Sequence, residues 1–219
     1  MKKKRWLLIA LILFLAAVLA VAAIFAFHMT GAEAVEYGFA RQVSEEEATL
    51  RLQLVYTAEG WHGASELYNS HKPIIDIYNS HEPLAVGYLV QYSDNWCATF
   101  VSCAAIQCHL TDIIPTECGC QRQIALFQDL GRWEESDDYV PLPGDIIYYS
   151  GKDSVADNIG WSDHVGIVVG THGNWIKVIE GNYLGMVEYR IIPIGDSYIR
   201  GYGLPDYTNK CDEKTDSAE

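Results

Sequence analysis

Apolar positions fall along the chain in three regimes, each predicting a different kind of element. The first is an uncharged apolar run of 22 residues from Trp6 to Phe27, behind Lys2-Lys3-Lys4-Arg5. As a helix it would cross roughly 30 Å of hydrocarbon. The run predicts a transmembrane helix with its basic stub in the cytoplasm and everything after about residue 30 outside. Ala32-Glu33-Ala34 also has the form of a cleavage site. A cleavable signal, however, carries an apolar region of only about 7 to 15 residues. A retained anchor is favoured and a signal peptide is the alternative. Either way the rest of the chain is exported.

The second regime is helical. Ser44-Glu45-Glu46-Glu47 has the spacing of a capping box and predicts a helix to about Ala58, although Leu50, Leu52 and Leu54 also alternate as a strand would. Asn69-Ser70-His71-Lys72-Pro73 and Asn79-Ser80-His81-Glu82-Pro83 echo one another across a short predicted helix from Ile74 to Tyr78. Phe100, Val101, Ala104, Ala105 and Cys108 recur at helical spacing, so a buried helix opens at Cys97 with Asp94 or Asn95 before it. A further helix is expected between Thr116 and Gly131, with Ile124, Phe127 and Leu130 on one face.

After Pro141-Leu142-Pro143-Gly144 the pattern turns to strands. Asp145 to Tyr149, His164 to Val169, Trp175 to Glu180, Met186 to Ile192 and Ile199 to Tyr202 are separated by Gly, Asp and Asn clusters. Helices first and strands afterwards predict an α+β fold with N-terminal helices packed on an antiparallel β-sheet. Asp206 to Glu219 is polar without an apolar period and is read as a frayed tail. The expected organisation is anchor 1–30, linker 31–43, catalytic domain 44–207 and tail 208–219.

Composition adds two exclusions. With 49% hydrophobic and 20% charged residues, the chain can bury a core and is not intrinsically disordered. Formal charge is −14, and without the four basic residues at positions 2–5 the remainder carries 11 Lys and Arg against 29 Asp and Glu. Such a balance repels phosphate, so nucleic acid is excluded as a partner.

Candidate chemistry centres on Cys97. At the first turn of a helix, free amides and the backbone dipole favour thiolate over thiol. A thiolate nucleophile also needs a base and a third group that fixes the base's tautomer. His164 opens an apolar strand, and a hairpin to Val178-Ile179-Glu180-Gly181-Asn182 could set Glu180 beside it, with Asn182 on the same face by strand alternation. Gly166 and Gly181 would let a helix or substrate approach the backbone.

Four segments in this order resemble the CHAP domain, the cysteine- and histidine-dependent amidohydrolases and peptidases related to NlpC/P60 proteins. They are Asp94-Asn95-Trp96-Cys97-Ala98-Thr99-Phe100-Val101-Ser102, Pro143-Gly144-Asp145-Ile146-Ile147-Tyr148-Tyr149, Asp163-His164-Val165-Gly166-Ile167-Val168 and Ile179-Glu180-Gly181-Asn182. The resemblance covers about residues 45 to 207. It implies a papain-like core, peptidoglycan as substrate, and a site of Cys97, His164, Glu180 and Asn182. Trp96 stands where many members have Gln, which leaves the side-chain contributor to an oxyanion hole open. The implied activity is cleavage of a stem-peptide, cross-bridge or sugar-peptide amide. A silent wall-binding module and a peptidase acting on a non-wall substrate are the alternatives.

Five further cysteines are Cys103, Cys108, Cys118, Cys120 and Cys211. Cys118-x-Cys120 and the neighbours Cys108-His109 lack the two-to-four-residue gap of zinc-ligand pairs, and Cys103 and Cys108 follow the helical face as core residues. Asp153, Asp157, Asn158 and Asp163 lack the alternation of an EF-hand loop. No metal or cofactor is expected. Export permits a disulfide, with Cys118 or Cys120 as candidates. Tyr148, Tyr149, Trp161 and Trp175 are either packing residues or the lining of a groove. The segment 150–163 is read as a loop beside the cleft, and a monomer is expected.

Overall fold

The computed structural model describes residues 36–150 and 161–216. Ser44 starts the first helix, α1 (Glu45–Glu59), by accepting the Glu47 amide at 3.1 Å. Only half of the capping box forms, because the Glu47 carboxylate turns to Arg51 Nε at 2.7 Å. Helix α2 (Lys72–Asn79) has Pro73 in its first turn. The second copy of the echo leads only into a short 3₁₀ turn at Ala85–Gly87. Helix α3 (Cys97–Gln107) is buried at every position from Cys97 to Ala105, and α4 (Cys120–Asp129) buries Ile124 and Phe127.

A six-stranded antiparallel sheet follows, in the order β1-β6-β2-β3-β4-β5. Its strands are β1 (Trp133–Glu134), β2 (Ile146–Tyr149), β3 (His164–His172), β4 (Trp175–Tyr183), β5 (Met186–Pro193) and β6 (Ile199–Gly203). The helices and one face of the sheet share the main core, where Phe100, Val101, Ile146, Tyr148, Val165, Ile167 and Ile179 meet. A smaller cluster of Ile147, Tyr149, Val168, Val178 and Tyr202 occupies the other face. Alternation along each strand feeds both cores, which is why these strands read as near-continuous apolar runs.

The Pro-Leu-Pro-Gly-Asp turn ties α1 to this sheet. Gly144 N donates to Val168 O at 2.8 Å and Val168 N returns a bond to Asp145 O at 2.9 Å. The buried Asp145 carboxylate accepts from Arg51 Nη1 at 2.8 Å, Tyr139 Oη at 2.7 Å and Leu142 N at 2.9 Å. Upstream, Gly38 exchanges two backbone bonds with Thr171, so part of the segment expected as linker lies along β3.

Two expectations need correcting. The transmembrane helix, and with it the single-pass membrane location, fell on residues 6–27, outside the described residues. Among the described residues no helix is long and apolar enough to cross a membrane. The longest, α1, has 15 residues, or about 22 Å at 1.5 Å each. The fold class is therefore mixed helix and antiparallel sheet, consistent with a papain-like arrangement, with no membrane-spanning helix among the described residues.

The polar tail is not frayed throughout, because helix α5 runs from Tyr207 to Asp216. No apolar period announced it, since Tyr207 is its buried anchor and the rest of its hold comes from polar contacts such as Thr208 with Glu47 and Lys210 with Asp112. The Tyr207 ring is buried under the Arg51 guanidinium at 4.5 Å, and its hydroxyl donates to Gly144 O at 2.9 Å.

Candidate active site

Cys97 is the first residue of α3, and Phe100 N is already bonded to Trp96 O at 2.8 Å. The amides of Cys97, Ala98 and Thr99 precede that first helical bond, so they point out of the helix start. Gly181 holds this helix against the sheet: a Cβ there would stand 2.3 Å from Phe100 Cβ. Of the two visitors foreseen at this glycine, helix or substrate, the helix occupies the space.

His164 opens β3, its side chain 19% exposed, and its Nε2 lies 3.1 Å from Glu180 Oε2. The β3–β4 register pairs Ile167 with Ile179, and one step further it opposes Gly166 to Glu180, so carboxylate and imidazole are diagonal neighbours. The missing side chain at 166 makes that contact possible. A Cβ on Gly166 would stand 2.7 Å from Glu180 Cγ. With Nε2 engaged by Glu180, Nδ1 is the nitrogen left to face the Cys97 sulfur, which hydrogen-bonds His164.

Cys97 keeps 5% of its surface. A hydrogen bond from Cys120, then the bond and charge of His164 and the Ala98 amide, outweigh burial and bring its thiol down to about 5. Burial works against a charge on His164, but the Cys97 sulfur and the Glu180 carboxylate prevail and hold it up at about 9. Between those limits the pair stands as thiolate and imidazolium, both ring nitrogens donating.

Glu180 is fully buried. Its Oε2 also accepts from Arg190 Nη2 at 2.8 Å and Nε at 3.1 Å. The Arg190 guanidinium lies over the rings of Tyr149 at 4.5 Å and Tyr183 at 4.7 Å, and Tyr149 stacks on His164 at 5.9 Å. Burial, and after it the Glu180 charge, push the Tyr149 phenol well above its ordinary range.

Asn182 departs from the expected same-face arrangement. The β4–β5 register shifts between Glu180 and Tyr183, and Asn182 has φ +57°. With its amide oriented to satisfy both ends, its oxygen accepts from Trp96 N at 3.2 Å and its nitrogen donates to Glu66 Oε1 at 3.1 Å. Asn182 thus braces the residue before Cys97. Glu66 also accepts from Trp96 Nε1 at 3.0 Å, and the fully buried indole stacks on His71 at 5.6 Å. Trp96 is therefore committed inward.

Three participants went unforeseen. Arg190 could have been suspected from being a lone base in the polar pattern of β5. Cys120 carried only the generic signal of a helix start. Glu66 carried none. The disulfide that export would permit does not form at the two candidates, for Cys118 and Cys120 are both thiols. Tyr148 and Tyr149 are buried, whereas Trp175 lies at the far end of the β3–β4 hairpin and Trp161 projects 74% exposed. The loop expected between 150 and 163 lies mostly outside the described residues. No group of three or more His, Cys, Asp or Glu side chains is placed to hold a metal among the described residues. A hollow of about 380 Å³ is lined by Val86, Tyr88, Val90, Asp94, Asn95, Cys118 and Arg122.

Residues 87–182 match the CHAP domain family. CHAP domains are typically cysteine amidases and peptidases of a peptidoglycan-related family, and the matched segment contains Cys97, His164, Glu180 and Asn182. Arg190 lies beyond it. A solved NlpC/P60 family protein from Bacillus cereus ATCC 10987 is similar at 16% identity and a TM-score of 0.40, over 70% of this chain and 39% of its own. The chain thus spans well under half of that protein. Comparison with curated proteins gives no match.

Proposed function

We propose that this CHAP region is a peptidoglycan hydrolase that cleaves an amide bond through Cys97. The observation that carries the reading is the His164 imidazole held between the Cys97 sulfur and Glu180 Oε2, at the open end of α3. The Cys97 thiolate attacks the amide carbonyl. Amides at the helix start, including those of Cys97 and Ala98, receive the developing oxyanion. Loss of one such donor typically costs about 10² to 10³ in rate. The His164 imidazolium protonates the departing amine, and the neutral ring then takes a proton from the water that releases the acyl group. Glu180 is a positioning residue that keeps Nε2 protonated and stabilises the charged ring. Asn182 positions the nucleophile's peptide through Trp96 N. The hollow beside Asn95 offers room for the peptide flanking the scissile bond.

The test is digestion of purified peptidoglycan by the full chain and by Cys97→Ala, with new termini identified by mass spectrometry. The wild type should release fragments bearing a new carboxylate and a new amine, and the variant none, with unchanged circular dichroism. Equal digestion by both would defeat the assignment. Turnover of peptides but not of wall material would move the substrate away from peptidoglycan.

A further inference from the structure

Cys120 makes and breaks no bond in the hydrolytic cycle, but its Sγ lies 3.6 Å from that of Cys97 and hydrogen-bonds it. Each cysteine is the first residue of its helix, α3 or α4, and each is buried, with 5% and 8% of its surface exposed. A disulfide needs about 2.05 Å between sulfurs, so the two sulfurs would have to close by about 1.5 Å. Ser162 N donates to Gln121 Oε1 at 3.1 Å, which ties α4 to the entry to β3.

From this geometry we propose that Cys97 and Cys120 form an oxidative modification site, a thiol pair that a small hydroperoxide closes into a disulfide. The Cys97 thiolate attacks one peroxide oxygen and expels hydroxide, which takes the His164 imidazolium proton and leaves as water, giving a sulfenic acid. The Cys120 sulfur then attacks Cys97 Sγ, and the hydroxyl leaves as water with the Cys120 proton. Two thiols lose two electrons in all, and one hydrogen peroxide becomes two waters. A dithiol reductant reverses the bond.

The pair is chemically asymmetric, as such a site requires. The thiolate resides on Cys97, while the bond to Cys97 and burial push Cys120 well above the ordinary thiol range. Other thiols are poorer targets: burial pushes Cys103 up to about 12, and Cys108 donates to Thr57 Oγ1 at 3.1 Å. That closure also silences hydrolysis rests on Cys97 being the nucleophile, whereas the cross-link itself does not.

Treating the full chain with hydrogen peroxide, blocking remaining thiols and mapping peptides by mass spectrometry tests this directly. A Cys97–Cys120 peptide two hydrogens lighter than the separate thiols is expected, with wall digestion lost and then restored by dithiothreitol. In Cys120→Ser, and in Cys120→Ala should the serine not fold, Cys97 should instead proceed to a sulfinic acid that dithiothreitol does not reverse. Sulfinic acid on Cys97 of the wild type with no linked peptide, or a link from Cys97 to another cysteine, would overturn the proposal. A correct link in a protein that never digests wall would leave it standing while removing the hydrolase reading.

Discussion

Asp145 and Glu180 are both fully buried carboxylates on neighbouring parts of one sheet, and each meets an arginine. Around Asp145 the partners are Arg51, the Tyr139 hydroxyl and the Leu142 amide, none of which changes protonation near neutral pH. Around Glu180 one partner is an imidazole that itself touches a sulfur. The first carboxylate can only hold structure together. The second can pass a change of charge to its neighbour, so chemistry follows the titratable partner rather than burial or the arginine.

The largest expected contrast comes from removing each charge in turn. Glu180→Gln should lower the hydrolytic rate by about 10³- to 10⁴-fold through loss of the useful tautomer, with a smaller stability loss than at Asp145 because the Arg190 side chain is 26% exposed where that of Arg51 is 8% exposed. Asp145→Asn should do the reverse, costing ~3–5 kcal/mol of stability because Arg51 is left buried beside a neutral group, while folded molecules keep their rate. Similar stability losses from both would erase the distinction. Next in size, Gly166→Ala places a methyl against Glu180 Cγ and should cost ~1–3 kcal/mol, read as a lower melting temperature together with slower turnover. Arg190→Gln removes a positive charge from the oxygen that His164 shares. The imidazolium becomes easier to form, so the His164 pKa followed by NMR should rise by about one unit. An unmoved titration would reduce Arg190 to packing.

The wild-type pH profile gives the finest test. Below about 5 the Cys97 thiolate takes up a proton, and above about 9 His164 loses one. The active form is therefore lost as pH falls through the lower value and as it rises through the upper one. kcat/KM should be flat between limbs near pH 5 and pH 9, reporting the pair as a unit. A single limb near 6.5 would mean that His164 titrates alone.

How much of this was legible beforehand depended on whether a contact is local. The start of α3 at Cys97, the start of β3 at His164 and the hairpin to Glu180 all follow from apolar periodicity and turn residues, which short stretches of chain record. Arg190 and Cys120 reach the site from segments whose own patterns say nothing of the partner they meet. Asn182 was misdirected because alternation assumes a regular strand, and the register shift after Glu180 breaks it. Helix α5 was missed for a related reason, since a single buried Tyr207 replaces the repeating apolar face that marks a helix.

Gly181 sets how closely α3 can approach β4, because Phe100 rests where a side chain would begin. The gap between sulfur and imidazole is thereby determined by the thickness of bare backbone, a dimension that thermal motion of surface loops barely alters. Any bulkier residue at that spot would act as a shim, lifting the nucleophile off its base while leaving every reactive group intact.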